Sequence, residues 1–77
     1  MNIPENELEG LLSKLCVDLG FCLPNIVQSR LIKFPPKTAE RFAEAVVEAE
    51  GLNLQTMEKN LYIRVLKEIE HVFKAYS

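Results

Sequence analysis

The sequence predicts an all-α protein, a compact bundle of four helices in which one helix is short and the fourth is the longest. Three observations indicate this class: apolar residues recur at helical spacing, Gly and Pro stand where helices would end, and strand-like alternation is absent. The chain has 77 residues, of which 48% are hydrophobic. We therefore expect residues 1–77 to form a single all-α domain around one real core.

The first predicted helix extends from about Pro4 to Leu19. Pro4 suits a first-turn position, and the acidic residues that follow lie near the positive end of the helix dipole. Its leucines recur on one face: Leu8, Leu11, Leu12, Leu15 and Leu19. Gly20 fits the left-handed position after the helix, and Phe21 should pack back towards Cys16 as in the Schellman motif.

A second, shorter helix is predicted to start at Leu23-Pro24 and to stop at Pro35-Pro36, because proline cannot donate a helical hydrogen bond. Its apolar stripe contains Leu23, Val27, Leu31 and Phe34.

The third helix should begin after Thr38, a good N-cap, and continue to Glu50. Gly51-Leu52 repeats the Gly-apolar ending, with Leu52 placed to contact Val47. The predicted core side contains Phe42, Val46 and Ala49, with Ala39, Ala43 and Ala45 beside them.

The fourth helix should start near Asn53 or Thr56 and end near Tyr76. Such a helix of about 20 residues would be roughly 30 Å long. Its predicted central stripe is Tyr62, Leu66, Ile69, Phe73 and Tyr76, flanked by Leu61, Val65 and Val72.

Composition argues against several classes of partner. The net charge is −2, so no global positive field favours nucleic acid or anionic lipid. No apolar run has the roughly 20 residues that span a bilayer, and the start of the chain lacks a basic segment followed by an apolar one. We therefore expect a cytoplasmic protein without a membrane partner. Cys16 and Cys22 are expected to be reduced, buried structural thiols, with a regulated disulfide as the alternative.

No constellation of residues indicates catalysis, a metal or a cofactor, so the prediction is that the protein is not an enzyme. The one histidine, His71, projects away from the apolar stripe of the fourth helix and is expected to be solvated. Glu68 and His71 have the Glu-x-x-His spacing of di-iron bundles, but such sites need both side chains in the core and a second copy of the motif.

Three surface features remain as candidates for protein binding. Glu40, Glu44 and Glu48 form an acidic ridge at i, i+4 and i+8, a spacing that is mildly destabilising in an isolated helix. Ile63 projects onto the polar side of the fourth helix. Val17 lies with Gly10 and Ser13 away from the leucine face of the first helix, where another helix could approach. The alternative for each is ordinary solvated surface.

Three stretches give the chain a resemblance to a set of small bacterial all-α proteins of no known function. They are residues 15–24 (LCVDLGFCLP), residues 34–36 (FPP) and residues 49–52 (AEGL). The resemblance extends over roughly residues 11–66 and implies a bacterial all-α domain. It implies no catalytic residue.

The functional prediction is a small module that binds another protein through its acidic surface, as an inhibitor, an immunity-type protein or an accessory subunit. A basic partner would complement that surface. The alternative is a self-associating structural domain, a homodimer formed through the fourth helix or through the track at Gly10 and Val17. A small nucleic-acid-binding regulator is a third reading, against which the acidic balance and the missing basic recognition helix count.

Overall fold

The computed structural model describes residues 3–53 and 55–76 and contains four helices: α1 (Glu5–Leu19), α2 (Asn25–Lys33), α3 (Ala39–Ala49) and α4 (Lys59–Ala75). The all-α prediction is confirmed, with α2 the short helix and α4 the longest. No strand occurs in either described range. Met1 and Asn2, at the start of the chain for which no targeting segment was predicted, lie outside the described residues.

The helices pack in the spatial order α2, α1, α4, α3, so α2 and α3 are the two outer helices. α1 and α4 are antiparallel. The Lys14 Nζ lies 3.2 Å from Glu68 Oε2 midway along the pair, and Glu7 near the start of α1 meets Tyr76 after the end of α4. The hydrogen bond between that phenol and the Glu7 carboxylate raises the pKa of Tyr76 above its usual value of 10.0.

One hydrophobic core joins all four helices. Phe42 of α3 is fully buried and meets the ring of Phe73 of α4 edge to face, with 5.8 Å between the ring centroids. The other fully buried large side chains are Leu8, Leu15, Val46, Val47, Val65 and Ile69. The centre of the α4 stripe is therefore Val65, Ile69 and Phe73, whereas the predicted Tyr62 and Leu66 are only partly buried.

Local chemistry ends the helices where the sequence indicated. The Thr38 hydroxyl accepts a 3.1 Å hydrogen bond from the Arg41 N–H and caps α3. Gly20 and Gly51 have φ of 79° and 78°, left-handed values that favour glycine. After α3, Leu52 N–H donates to Val47 O in the Schellman pattern. After α1 the corresponding hydrogen bond closes a turn that is one residue longer than the Schellman turn, because the Phe21 N–H donates to Leu15 O.

Two sequence predictions about helix bounds and burial were wrong. α4 begins at Lys59 instead of near Asn53 or Thr56, because Asn53 caps a separate turn. The Asn53 side chain accepts a 2.8 Å hydrogen bond from the Gln55 N–H. The Asn53 carbonyl accepts a 2.8 Å hydrogen bond from the Met57 N–H. Phe34 was predicted to lie on the buried stripe of α2, but α2 ends at Lys33. Phe34 has a φ of −132°, which is not helical, so its side chain does not continue the stripe. Its ring is 79% exposed.

The prediction of two buried, reduced thiols was also wrong. Cys16 and Cys22 form a disulfide with their Cα atoms 4.3 Å apart, and Cys22 is exposed. The physical reason is the left-handed Gly20, which turns the chain so that Cys22 returns to the last turn of α1. Phe21 and Leu23, on either side of Cys22, are buried and hold it there.

Candidate interaction surface

An open groove runs along the outer face of α3. One wall is the turn that joins α2 to α3, and the other is α3 itself. The groove has a volume of about 680 Å³ and is lined by Pro35, Pro36, Lys37, Thr38, Arg41, Glu44, Ala45 and Glu48. Two members of the predicted acidic ridge, Glu44 and Glu48, therefore face a concave surface.

A second, smaller depression continues the groove past the end of α3. It measures about 340 Å³ and is lined by Glu48, Leu52, Asn53 and Gln55. Glu48 belongs to both depressions, so they adjoin. Leu52, expected to contact Val47, is 43% exposed in this depression. The groove and this depression together form one strip, called the α3 strip. Pro35 and Pro36 lie at one end of it, the exposed Leu52 lies at the other, and the carboxylates of Glu44 and Glu48 lie between them.

The third member of the ridge is separate. Successive α-helical residues are rotated by about 100°, so a step of four residues adds about 40°. Glu40 is thus rotated by about 80° from Glu48, on the side of α3 away from Arg41 and Ala45. It does not line the groove. Of the acidic ridge predicted from the sequence, Glu44 and Glu48 therefore line the groove, and Glu40, one helical turn before Glu44, does not.

The groove carries charges of both signs. Lys37 and Arg41 line it beside Glu44 and Glu48. Within the described ranges, no ion pair is formed by any of the three ridge carboxylates. α3 nevertheless has a net charge of about −2 over its own length, because Glu40, Glu44 and Glu48 outnumber Arg41. A cationic group that enters the groove would find two exposed carboxylates without an ion-pair partner among the described residues.

The predicted residues Val17 and Ile63 lie elsewhere. Val17 is 77% exposed, beside a depression between α1 and α4 that Asp18, Leu19, Arg64, Lys67 and Glu68 also line. Ile63 is 40% exposed and lines neither that depression nor the α3 groove. The structure does not bring the five predicted residues together into one site.

The outer face of α2 is a surface that the sequence analysis missed. Ile26 is 75% exposed, and Arg30, Lys33 and Phe34 are exposed near it in sequence. From Leu19 to Ala39 the chain contains three basic residues and no acidic one. That uninterrupted positive segment was visible in the sequence and is the signal that could have identified this face.

Other candidate chemistry receives no support from the geometry. His71 is exposed. Across the described residues, no three His, Cys, Asp or Glu side chains are grouped as a metal site would require. Within the same ranges, none of the helices combines the length and apolar character needed to cross a membrane.

The chain matches no protein-family model, and no curated protein and no solved structure is significantly similar to it.

Proposed function

We propose that this chain is a non-catalytic protein-binding module and that the groove along α3 is its binding surface. The observation that carries the proposal is the placement of Glu44 and Glu48, which line a concave strip between exposed apolar ends. Glu40 lies outside this strip and is not part of the proposed surface.

The partner that fits this strip presents basic side chains between apolar ones. Its cations would pair with Glu44 and Glu48, and its apolar groups would cover Pro35 and Pro36 at one end and Leu52 at the other. Because these carboxylates are exposed, they should contribute more to association rate and specificity than to raw affinity. Binding should therefore weaken as salt increases.

Glu40, which is on the same helix but does not line the groove, supplies a control position for the test. Tagged full-length baits would be compared as wild type, as Glu44→Lys with Glu48→Lys, and as Glu40→Lys, in extracts of the native host. We expect the groove double variant to lose the captured protein and the Glu40 variant to keep it. Capture that survives the double reversal, or wild-type bait that captures nothing, would contradict the proposal.

A second candidate is the structural homodimer through α4 or the track on α1. Val17 favours this candidate because its side chain is 77% exposed, and Gly10 does so because a Cβ built there meets no atom within 4 Å. Sedimentation should then give a mass near twice 8.8 kDa that falls to the monomer value in Val17→Glu. A clean monomer of wild type at high concentration would exclude it.

The proposal includes a cytoplasmic location, and the Cys16–Cys22 pair makes that testable. In the cytoplasm the Cys16–Cys22 disulfide of the structure would have to be reduced to two thiols, because cellular reductants keep most cytosolic cysteines reduced. Alkylation in intact host cells, followed by mass spectrometry, would count the free thiols. A chain that resists alkylation until reductant is added belongs in an oxidising compartment.

A further inference from the structure

α2 contributes the fewest buried side chains of the four helices. Its nine residues include one buried side chain, Leu31, whereas each of the other helices has between three and five. α2 packs mainly on α1, and among the described residues no ion pair joins it to another helix. A helix of fewer than about 12–15 residues is marginal by itself in water, so α2 depends on its packing on α1 and on how its ends are held.

The disulfide holds the start of α2 against α1. Cys16 lies in the last turn of α1, and Cys22 lies just before α2 begins. At its other end α2 leads into Phe34 and Pro35, which are both exposed. The end of α2 that is fixed to the rest of the molecule is therefore the end beside the disulfide.

The same bond restricts a state in which α2 has separated from α1. Such local opening, with the rest of the fold intact, is common in proteins for segments with few buried contacts. While the bond is intact, the opened segment remains linked to α1 at Cys16 and gains less conformational entropy than a segment with two free thiols. For a ring of this size, the chain-entropy relation corresponds to a factor of roughly 30 in the opening equilibrium.

Cys22 is the sulfur that an external thiol can reach, because Cys22 is exposed and Cys16 is partly buried. A thiolate that attacks Cys22 Sγ forms a mixed disulfide there, and the bond to Cys16 breaks with its electron pair on Cys16 Sγ, which takes up a proton. A second thiol then attacks the mixed disulfide and releases Cys22 as a thiol. Two external thiols are thereby oxidised to one disulfide, and the protein disulfide is reduced to two thiols.

We propose that the Cys16–Cys22 pair is a thiol–disulfide exchange site whose oxidation state controls how often α2 opens from α1. The oxidised pair keeps α2 closed, and reduction raises the open population roughly 30-fold. Opening uncovers Leu31 and makes the chain at Arg30 and Lys33 accessible to proteases. The reduced chain is therefore the form that is cut and removed faster, since cleavage follows the population of the open state. This role does not depend on the α3 strip.

The closed reduced form keeps the two cysteines close enough to pair again. The Gly20 N–H donates to Cys16 O at 3.0 Å, which holds the reversal independently of the sulfur atoms. Cys22 Sγ lies 3.7 Å from the same carbonyl oxygen, so the reduced thiol has a weak acceptor at hand. Oxidation is expected to restore the closed form.

Native-state amide hydrogen exchange, measured by NMR on the full chain, tests the proposal. The oxidised wild type would be compared with Cys16→Ser with Cys22→Ser, and with wild type reduced by a dithiol, which needs no substitution. We expect the amides of Gln28 and Leu31 in α2 to exchange roughly 30-fold faster in both thiol-free and reduced samples than in the oxidised protein.

A matched control separates opening of α2 from unfolding of the whole domain. Oxidised Val46→Ala, which truncates a fully buried side chain of the other outer helix, lowers global stability without touching the disulfide. We expect core amides of α3 and α4 to exchange faster in this variant and those of α2 to keep their wild-type rates.

Two results would overturn the inference. Equal exchange of the α2 amides in the oxidised and reduced wild type would show that the disulfide does not control the opening. Acceleration of the α2 amides by Val46→Ala to the same extent as the core amides would show that α2 unfolds only with the whole domain.

Discussion

Loss of the Cys16–Cys22 disulfide should lower the stability of the domain by a measurable and limited amount. The bond joins residues six apart, so the loop that it closes in the unfolded chain is short. The chain-entropy relation for a loop of this length gives about 2 kcal/mol at 25 °C. For a domain of this size, that corresponds to a fall in Tm of roughly 8–16 °C.

The fold itself should survive reduction. The reversal after α1 is also held by two backbone hydrogen bonds, Gly20 N–H to Cys16 O and Phe21 N–H to Leu15 O, both 3.0 Å. Phe21 is buried in the core and should hold the reversal in place after reduction as well. We therefore expect the reduced protein to keep its helical circular dichroism and to lose stability through its less restricted unfolded state.

Urea denaturation of the oxidised protein, with and without a reductant, measures the effect. The variant Cys16→Ser with Cys22→Ser is the control, since its midpoint should not respond to reductant. Its free energy of unfolding should lie near that of the reduced protein. Equal stabilities of oxidised and reduced wild type would refute the loop-closure argument, and a reduced protein without helix would show that the disulfide is required for folding.

Three further predictions concern single positions. Gly20→Val should lower the free energy of unfolding by about 1 kcal/mol or more, because the φ of Gly20 is 79°. Gly10→Ala should raise it by about 0.5–1 kcal/mol, because Gly10 lies in a helix and a Cβ there meets no other atom. Thermal melts of the two variants and the wild type measure both effects. Phe42→Ala should cost about 3–5 kcal/mol in urea denaturation, and a loss below 1 kcal/mol would contradict its central place in the core. In a spectrophotometric titration Tyr76 should ionise above its usual pKa, and Glu7→Ala should lower that pKa. Because the folded pKa is raised, the Glu7 contact stabilises the fold below about pH 10 and is lost as pH rises through the folded pKa of Tyr76.

The helix ends could be predicted because their causes are local. Thr38 before a run of helix formers and Gly20 after a leucine face act through hydrogen bonds within a few residues. The start of α4 was predicted too early for a related reason. Asn53 does cap a turn, but that turn ends before Lys59, and a single sequence does not show whether one turn continues into the next.

The misplaced side chains depend on turns that interrupt the helical periodicity. Phe34 follows the periodicity of α2, yet the chain leaves the helix one residue earlier and carries the ring outward. The cysteine pairing depends on the path that Gly20 imposes, which the spacing of Cys16 and Cys22 does not reveal. Likewise, which residues of the acidic ridge line the groove depends on where the Pro35-Pro36 turn packs beside α3.

The antiparallel pairing of α1 with α4 also has a topological consequence. Because Glu7 meets Tyr76, the first and last described turns of the chain lie together at one end of the molecule. A short linker could join them and new ends could be opened in the turn between α3 and α4, giving a circular permutant that keeps the same helix neighbours. Fusion partners placed before α1 and after α4 would extend next to each other from the same end of the molecule.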